Sequence, residues 1–316
     1  MKKYWTLFFG LLLTQIVYAQ QIDIQYQPPI GQSELTSEIS IPAAPSGYSV
    51  WMPEGKPKGA VVFFHAEADS NSVFSMVPKA NARELAVIFV STANPFEFLF
   101  EAAAMQELEA YIEDACQKHE VPTENLLFGG MSLEGTRALK MAVFSQSGDC
   151  RICIQPKAVM TCDSPLDMVR FWKEADKAWR LNITEIGANE GKWVSQYLSK
   201  KLGGKPEDVM HDYVNYSPYC YVAEHGGNAR FFKDIAVRAY TEPDVHWWIE
   251  NRGKDYYGMN AIDAAALINQ LKIDGNRNAE LVLTEDKGYR PDNSRHPHSW
   301  SIVDEEELLD WFLSLE

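Results

Sequence analysis

The stretch NLLFGGMSLEGTRAL, residues 125 to 139, joins two patterns of different period. Its first residues form a short apolar run that is typical of a buried strand, and residues 133–144 have the composition of a helix. Two glycines and Ser132 lie between these two patterns. The stretch therefore predicts a strand that turns sharply into a helix and presents Ser132 at the turn.

Short apolar runs alternate with longer helical ones on both sides of this turn. We predict early strands at 37–42 and 47–53, later strands at 59–65, 85–92, 157–164, 235–242 and 279–285, and helices at 98–119, 260–273 and 304–315. This alternation indicates an α/β fold, with a mostly parallel central sheet and helices on both faces. Residues about 165–232 break the alternation with aromatic-rich, helix-like sequence, which we interpret as an insertion over one end of the sheet.

The beginning of the chain has the pattern of an export signal. Lys2 and Lys3 precede an apolar run, and Val17, Tyr18 and Ala19 form a small-residue cleavage site before Gln20. The apolar run is shorter than the roughly 18 to 20 residues that a membrane span needs. We expect residues 1–19 to be a cleaved signal peptide, residues 20–316 to form one domain without a membrane span, and the protein to be secreted or periplasmic in a bacterium.

The net charge and the cysteine content limit the classes of partner and cofactor that we expect. The formal net charge of −15 becomes −17 when the two lysines of the signal are removed, which disfavours nucleic acid and anionic membranes as partners. Five cysteines, at positions 116, 150, 153, 162 and 220, allow at most two disulfides, and their pairing stays open. No set of cysteines, histidines and acids completes a zinc shell, so we expect neither a metal nor another cofactor.

The turn at Ser132 resembles the start of a G-x-S-x-G motif that is broken by Glu134. Gly135 follows one residue later and would leave room for the helix to pack, which makes the pattern G-x-S-x-x-G. In this motif the turn pushes the serine hydroxyl out at the top of the sheet. A serine that attacks a carbonyl also needs a base, a group that orients the base, and donors for the oxyanion.

Candidates for the base and its partner follow the last two predicted strands. Asp244 comes after strand 235–242, with Glu242 as an alternative, and His298 comes after strand 279–285, with His296 as an alternative. We favour Asp244 because it lies further past its strand. We favour His298 because the residues after it lead into the last helix.

This order of strands, turn, insertion, serine, acid and histidine resembles the α/β-hydrolase superfamily over nearly all of the predicted mature chain. The resemblance implies an α/β-hydrolase fold whose helical insertion, or lid, follows the sixth strand of that fold. It also implies Ser132 as nucleophile, Asp244 as acid and His298 as base. The backbone N–H of Leu133 would be one oxyanion donor, and the turn at His65, with Ala66 and Glu67, would provide the other.

The resemblance implies a serine hydrolase, and we expect a secreted carboxylesterase that acts through an acyl-enzyme on a small-molecule or carbohydrate ester. A serine peptidase of the same fold is an alternative, because the same three residues can act on amides. A ligand-binding protein that has lost catalysis is another, because Glu134 and Ala66 depart from the family pattern. Glu67 and Glu134 would disfavour anionic substrates if both lie at the mouth of the site. The oligomeric state stays open.

Overall fold

The structure is a computed structural model that describes residues 20–28, 31–34, 40–66 and 73–316. The predicted signal peptide, the first half of the predicted strand at 37–42 and the predicted oxyanion residue Glu67 lie outside the described residues. Within the described ranges, no helix is both long enough and apolar enough to cross a membrane.

One eight-stranded sheet forms the centre of the molecule, in the strand order β1-β4-β6-β5-β7-β8-β9-β10. Its strands are β1 (Gln20–Gln27), β4 (Ser46–Met52), β5 (Gly59–Phe63), β6 (Leu85–Ser91), β7 (Leu126–Met131), β8 (Ala158–Cys162), β9 (Ala236–Thr241) and β10 (Ala279–Leu283). Only the pairs β1–β4 and β4–β6 in this sheet are antiparallel. Strands β2 (Gln32–Glu34) and β3 (Ser40–Pro42) form a separate antiparallel pair. The predicted mostly parallel sheet is confirmed, and β1 was not predicted.

Helices cover both faces of the sheet because its parallel strands are apolar on both sides. Val62 of β5 packs towards α2 (Ala102–Lys118), α3 (Leu133–Phe144) and α8 (Ala261–Ile273). Its neighbours Val61 and Phe63 point the other way, towards α1 (Met76–Asn81) and α9 (Glu305–Ser314). All three side chains are fully buried, so the two layers of core meet along this strand.

The chain between β8 and β9 is mainly helical. It contains α4 (Met168–Leu181), α5 (Glu185–Leu202), α6 (Met210–Tyr216) and a 3₁₀ segment (Glu224–Phe232). The side chain of Asp167 caps α4 by accepting hydrogen bonds from the amides of Val169 and Arg170. Buried side chains of α4 and α5 pack on Phe98 and Phe100, which follow β6. These helices therefore lie over the carboxyl ends of the parallel strands. The short helix α7 (Val245–Arg252) follows β9.

The cysteine pairing that the sequence left open is local. Cys150 and Cys153 form a disulfide in the loop after α3, and Cys116, Cys162 and Cys220 are buried free thiols. The buried carboxylate of Glu109 accepts hydrogen bonds from the amide of Cys153 and from that of the residue after Cys150, at 2.7 and 2.9 Å. The loop is thus fixed both covalently and by hydrogen bonds.

Candidate active site

Ser132 lies at the turn between β7 and α3 in a strained backbone conformation. Its φ of 55° and ψ of −123° are rare for a residue with a side chain. The Ser132 amide donates to the carbonyl of Cys162 at the end of β8, at 2.8 Å, which holds the turn against the neighbouring strand. Such strain is typical of functional sites, and here it presents the serine at the end of the sheet where the cavity lies.

Two glycines allow the close packing of this turn. A Cβ atom on Gly130 would overlap the Cβ of Glu134, and a Cβ atom on Gly135 would overlap the hydroxyl of Ser164 after β8. Gly135 therefore provides the close approach of the helix, one residue later than the G-x-S-x-G pattern requires. Glu134 fits at this position because Gly130, which faces its Cβ, has no side chain. Glu134 also lines the cavity.

His298 is held by a carboxylate that the sequence analysis did not propose. Its Nδ1 and Oδ2 of Asp163 are 2.6 Å apart, and Asp163 follows the last residue of β8. The carboxylate is buried, and its Oδ1 accepts a hydrogen bond from the hydroxyl of Thr241 at 2.9 Å. Asp163 has a φ of 47°, so its backbone is also in the left-handed region. With Nδ1 as the donor to Asp163, Nε2 of His298 is left as a hydrogen-bond acceptor.

The predicted pairing of Asp244 with His298 is wrong. The Asp244 carboxylate instead caps α7, accepting from the amide of Trp247 at 3.0 Å, and contacts the guanidinium of Arg295 at 2.7 Å. Glu242, the alternative acid, is buried and contacts the same guanidinium at 2.6 Å. In the sheet, β8 lies directly beside β7, and β9 lies between β8 and β10. The contact with His298 therefore identifies Asp163, at the end of β8, as the acid beside this histidine.

The structure distinguishes His298 from the alternative His296. His296 is buried, and its ring centroid lies 4.3 Å from that of Trp247. Burial, aided by the positive charge of Arg290, lowers the pKa of His296 to about 4, so the ring is neutral at ordinary pH. His298 is partly exposed and lines the same cavity as Ser132. Of the two histidines, only His298 lines the cavity that Ser132 lines.

The predicted oxyanion donors lie on two segments that Arg137 connects. Leu133 begins α3, where the first amides have no acceptor within the helix, and Ala66 follows β5 and lines the cavity. From α3, the buried Arg137 guanidinium donates to the carbonyl of Phe64 at 2.7 Å and to that of Glu97 at 2.6 Å. Burial lowers the pKa of Arg137, and the carbonyl oxygens offset part of that cost. Arg137 thus fixes the loop after β5 relative to the helix that follows Ser132.

Ser132 and His298 open into one cavity of about 690 Å³ between the sheet and the inserted helices. A volume of this size suits a small organic ligand. Its walls are mainly apolar and aromatic, with contributions from Phe96, Phe98, Phe171, Trp193, Trp248 and Met259. Within the described ranges, no three histidine, cysteine, aspartate or glutamate side chains are grouped as a metal site would require.

Asp163 was missed because the sequence analysis placed residues 157–164 inside one strand. A sequence feature could have identified it: an acid directly after a mostly apolar strand, followed by Ser164 and Pro165, which are turn residues. The order of strands within the sheet could not be read from the sequence. The choice of this acid over those after β9 depends on which carboxylate reaches the His298 ring.

Solved structures with the same architecture are hydrolases. An esterase from Pyrobaculum calidifontis aligns over 95% of this chain and 87% of its own, with a TM-score of 0.56 and 15% identity. Carboxyl esterase 2 from Tuber melanosporum aligns over 95% and 90%, with a TM-score of 0.52 and 13% identity. The acylaminoacyl peptidase of Pyrococcus horikoshii aligns over 92% of this chain, with a TM-score of 0.55 and 12% identity.

The extent of these alignments differs. This chain spans only 42% of the acylaminoacyl peptidase, whereas it spans most of the two esterases. No protein-family model and no curated protein sequence matches the chain. The architecture, the strained serine turn and these structural matches together show that the chain has the α/β-hydrolase fold that its sequence resembles.

Proposed function

We propose that the protein is a serine hydrolase of the carboxylesterase type that uses Ser132, His298 and Asp163. One observation carries the proposal: a serine in a strained turn shares a cavity with a histidine whose Nδ1 contacts a buried carboxylate. These are the three components that activate a serine hydroxyl at neutral pH. Asp163 replaces the originally favoured Asp244 in this assignment.

The proposed reaction has two steps. Nε2 of His298 accepts the hydroxyl proton as Ser132 Oγ attacks the ester carbonyl, and the backbone N–H of Leu133, with one from the Ala66 loop, stabilises the oxyanion. The tetrahedral species expels the alcohol, which takes the proton from His298. Water then attacks the acyl-enzyme with His298 again as base, releasing the acid and restoring Ser132.

Ester hydrolysis is favoured over peptide hydrolysis by the extent of the structural matches. The esterases match this chain over most of their own length, whereas more than half of the acylaminoacyl peptidase lies outside the match. Turnover of a panel of amide substrates would test the alternative that the protein is a peptidase. Faster turnover of acylated amino-acid anilides than of the corresponding esters would make the protein a peptidase.

The decisive experiment compares the wild type with Ser132→Ala on short p-nitrophenyl esters. Because the serine forms the covalent intermediate, we expect kcat to fall by about a thousandfold or more. A fluorophosphonate probe should label the wild type stoichiometrically and leave the variant unlabelled. Well-folded wild-type protein that neither turns over esters nor takes up the probe would instead favour the ligand-binding alternative.

Export is a second part of the proposal, supported by the sequence of residues 1–19 alone. Amino-terminal sequencing of the protein from the culture medium or periplasm of an expressing bacterium should begin at Gln20. A chain that stays in the cytoplasm with Met1 in place would contradict it.

A further inference from the structure

Glu134 is a carboxylate in the cavity that the proposed reaction does not use. It lies two residues after Ser132, in the first turn of α3, and lines the cavity. Across the part of the chain that the structure describes, no hydrogen bond or ion pair engages this carboxylate.

The cations that line the cavity are engaged elsewhere. Arg137 attracts Glu134 through space, but its N–H groups donate to four backbone carbonyls, those of Phe64, Asn94, Pro95 and Glu97. The ammonium of Lys254 lies 3.6 Å from the carboxylate of Glu190 and 5.6 Å from the ring centroid of Trp248. A ligand in the cavity would therefore meet Glu134 as a charge that is not directly paired.

The aromatic walls add a second feature that attracts a cation. Phe98, Phe171, Trp193 and Trp248 line the same cavity. The faces of such rings attract ammonium groups, most strongly when water is excluded. A carboxylate together with several ring faces is suited to a positive group with apolar substituents.

We propose that Glu134 makes the cavity selective for esters that carry an ammonium group close to the scissile bond. This inference rests on the proposed esterase function and names its substrate class. Glu134 would act as a specificity-determining residue, and the reacting groups would remain Ser132, His298 and Asp163. The substitution that breaks the G-x-S-x-G pattern would thereby have a role.

Two pairs of substrates test this selectivity, each consisting of a cation and its uncharged carbon isostere. In the first pair, acetylthiocholine is compared with the analogue in which a tert-butyl group replaces the trimethylammonium group, so the charge difference lies on the leaving group. In the second pair, the p-nitrophenyl ester of γ-trimethylammoniobutyrate is compared with its tert-butyl analogue, so the charge difference lies on the acyl group. We expect the wild type to prefer the cation in at least one pair by about tenfold in kcat/KM, as for a charge-assisted contact.

Glu134→Gln should remove this preference by lowering kcat/KM for the cationic ester towards that of its uncharged isostere, because glutamine has nearly the same size but no charge. Glu134→Asp, which keeps the charge, should retain part of the preference. An equal preference in Glu134→Gln and the wild type would overturn the inference. So would a wild type that takes up the fluorophosphonate probe but favours neither cation.

Failure of the proposed function would look different from failure of this inference. In that case the wild type would hydrolyse none of the four esters and would not take up the fluorophosphonate probe. If Ser132 is the nucleophile and only the inference fails, both uncharged esters would still be hydrolysed and Ser132→Ala would still be inactive.

Discussion

At the scale of single residues, the contacts of Asp163 explain how a carboxylate can stay oriented inside the protein. The side chain is only 6% exposed, and it contacts both the His298 ring and the Thr241 hydroxyl. Its backbone amide donates to the carbonyl of Tyr240 on β9, at 2.8 Å. These contacts leave the carboxylate little freedom, and the ring that it contacts is oriented in turn.

Asp163→Asn should therefore lose activity without losing the fold. The amide would favour the wrong tautomer of His298, so we expect kcat for a p-nitrophenyl ester to fall by about a thousandfold or more. Steady-state kinetics, with circular dichroism as a check on folding, would measure this. Activity within a few fold of the wild type would show that Asp163 does not orient the base.

Asp244→Asn is the matched control for that experiment. Asparagine caps helices about as well as aspartate, so α7 should keep its hydrogen bond to Trp247. We expect kcat to stay within about tenfold of the wild type, because Arg295 keeps its contact with Glu242. A greater loss here than in Asp163→Asn would restore Asp244 as the catalytic acid.

At this scale the sequence singles out Ser132 and His298 as candidates, but not Asp163, the acid that contacts the histidine. Ser132 and His298 stand out because a turn motif and the position after the last strand single out one or two residues each. The acid could follow either of two strands, and the choice depends on which carboxylate reaches the His298 ring. That contact joins residues far apart in the chain, and local sequence patterns do not encode it.

At the scale of elements, the start of α3 packs tightly against the loop after β8. The Cβ of an alanine at position 135 would overlap the Ser164 hydroxyl and would lie 2.8 Å from the Gly130 carbonyl oxygen. The backbone at the turn is already held by the Ser132 amide. The helix could therefore make room only by moving away from the serine turn.

Gly135→Ala should destabilise the protein and slow the reaction. Overpacking of this kind costs about 1–3 kcal/mol in the free energy of unfolding. Gly148→Ala is the matched control, because no atom lies within 4 Å of its added Cβ, and its effect should stay within about 0.5 kcal/mol. Urea unfolding would measure both variants. Equal stability of the two would contradict the packing described for α3.

The loop between β10 and His298 is held by a buried cluster around Glu242. This carboxylate accepts from the Thr284 hydroxyl at 2.8 Å and from the Lys287 amide at 2.9 Å. It also contacts the guanidinium of Arg295, which donates to the carbonyl of Gly288 at 2.7 Å. The acids after β9 thus fix the loop that carries His298, the proposed catalytic base.

Arg295→Met should loosen this loop and move His298 out of place. We expect kcat to fall by roughly ten- to a hundredfold, as small misplacements of catalytic groups do. Hydrogen exchange of residues 284–298 should become faster, while exchange in β7 should not change. Arg290→Met, which removes a guanidinium without a carboxylate contact in the described structure, is the control. Unchanged exchange in Arg295→Met would rule out this role.

At the scale of the whole molecule, the amine of Lys140 is buried where α3 meets the inserted helices. Its Nζ lies 4.4 Å from the ring centroid of Phe100 and 5.3 Å from that of Tyr216 of α6. The ammonium has no hydrogen-bond partner among the described residues. Burial lowers the pKa of Lys140 to about 7.

Lys140→Met should raise the melting temperature, and more so at pH 6 than at pH 9.5. Between about pH 7 and the ordinary lysine pKa of 10.5, the unfolded chain binds a proton that the folded protein releases. Stability therefore rises with pH across this range, and the cost of burying the ammonium is complete below pH 7. We expect the melting temperature to rise by several degrees at pH 6, at roughly 2–4 °C per kcal/mol of added free energy of unfolding.

Calorimetry at the two pH values would measure the difference. Lys233→Met, at an exposed position, is the control and should shift the melting temperature by the same small amount at both. A gain from Lys140→Met that is independent of pH would mean that Lys140 keeps an ordinary pKa.

The overall architecture could be predicted further than the site. The buried strands β5 and β6 are short, almost continuous apolar runs, and such runs identify strands that helices cover on both faces. The strand β1 pairs at the sheet edge, and the alternation of Ile22, Ile24 and Tyr26 with polar residues is a strand pattern that the prediction missed. The way the inserted helices pack on Phe98 and Phe100 likewise depends on long-range contacts.

The placement of Ser132 and Asp163 directly after two paired strands has a practical consequence for anyone handling the protein. The register of β7 and β8 sets Met131 opposite Cys162, so the residues that follow them are locked together by the ladder. His298 lies at the end of a loop outside this ladder, where the contact between Arg295 and Glu242 holds it. A proteolytic cut in that loop would therefore abolish turnover while the sheet stays paired, so lost activity would be a poor measure of denaturation.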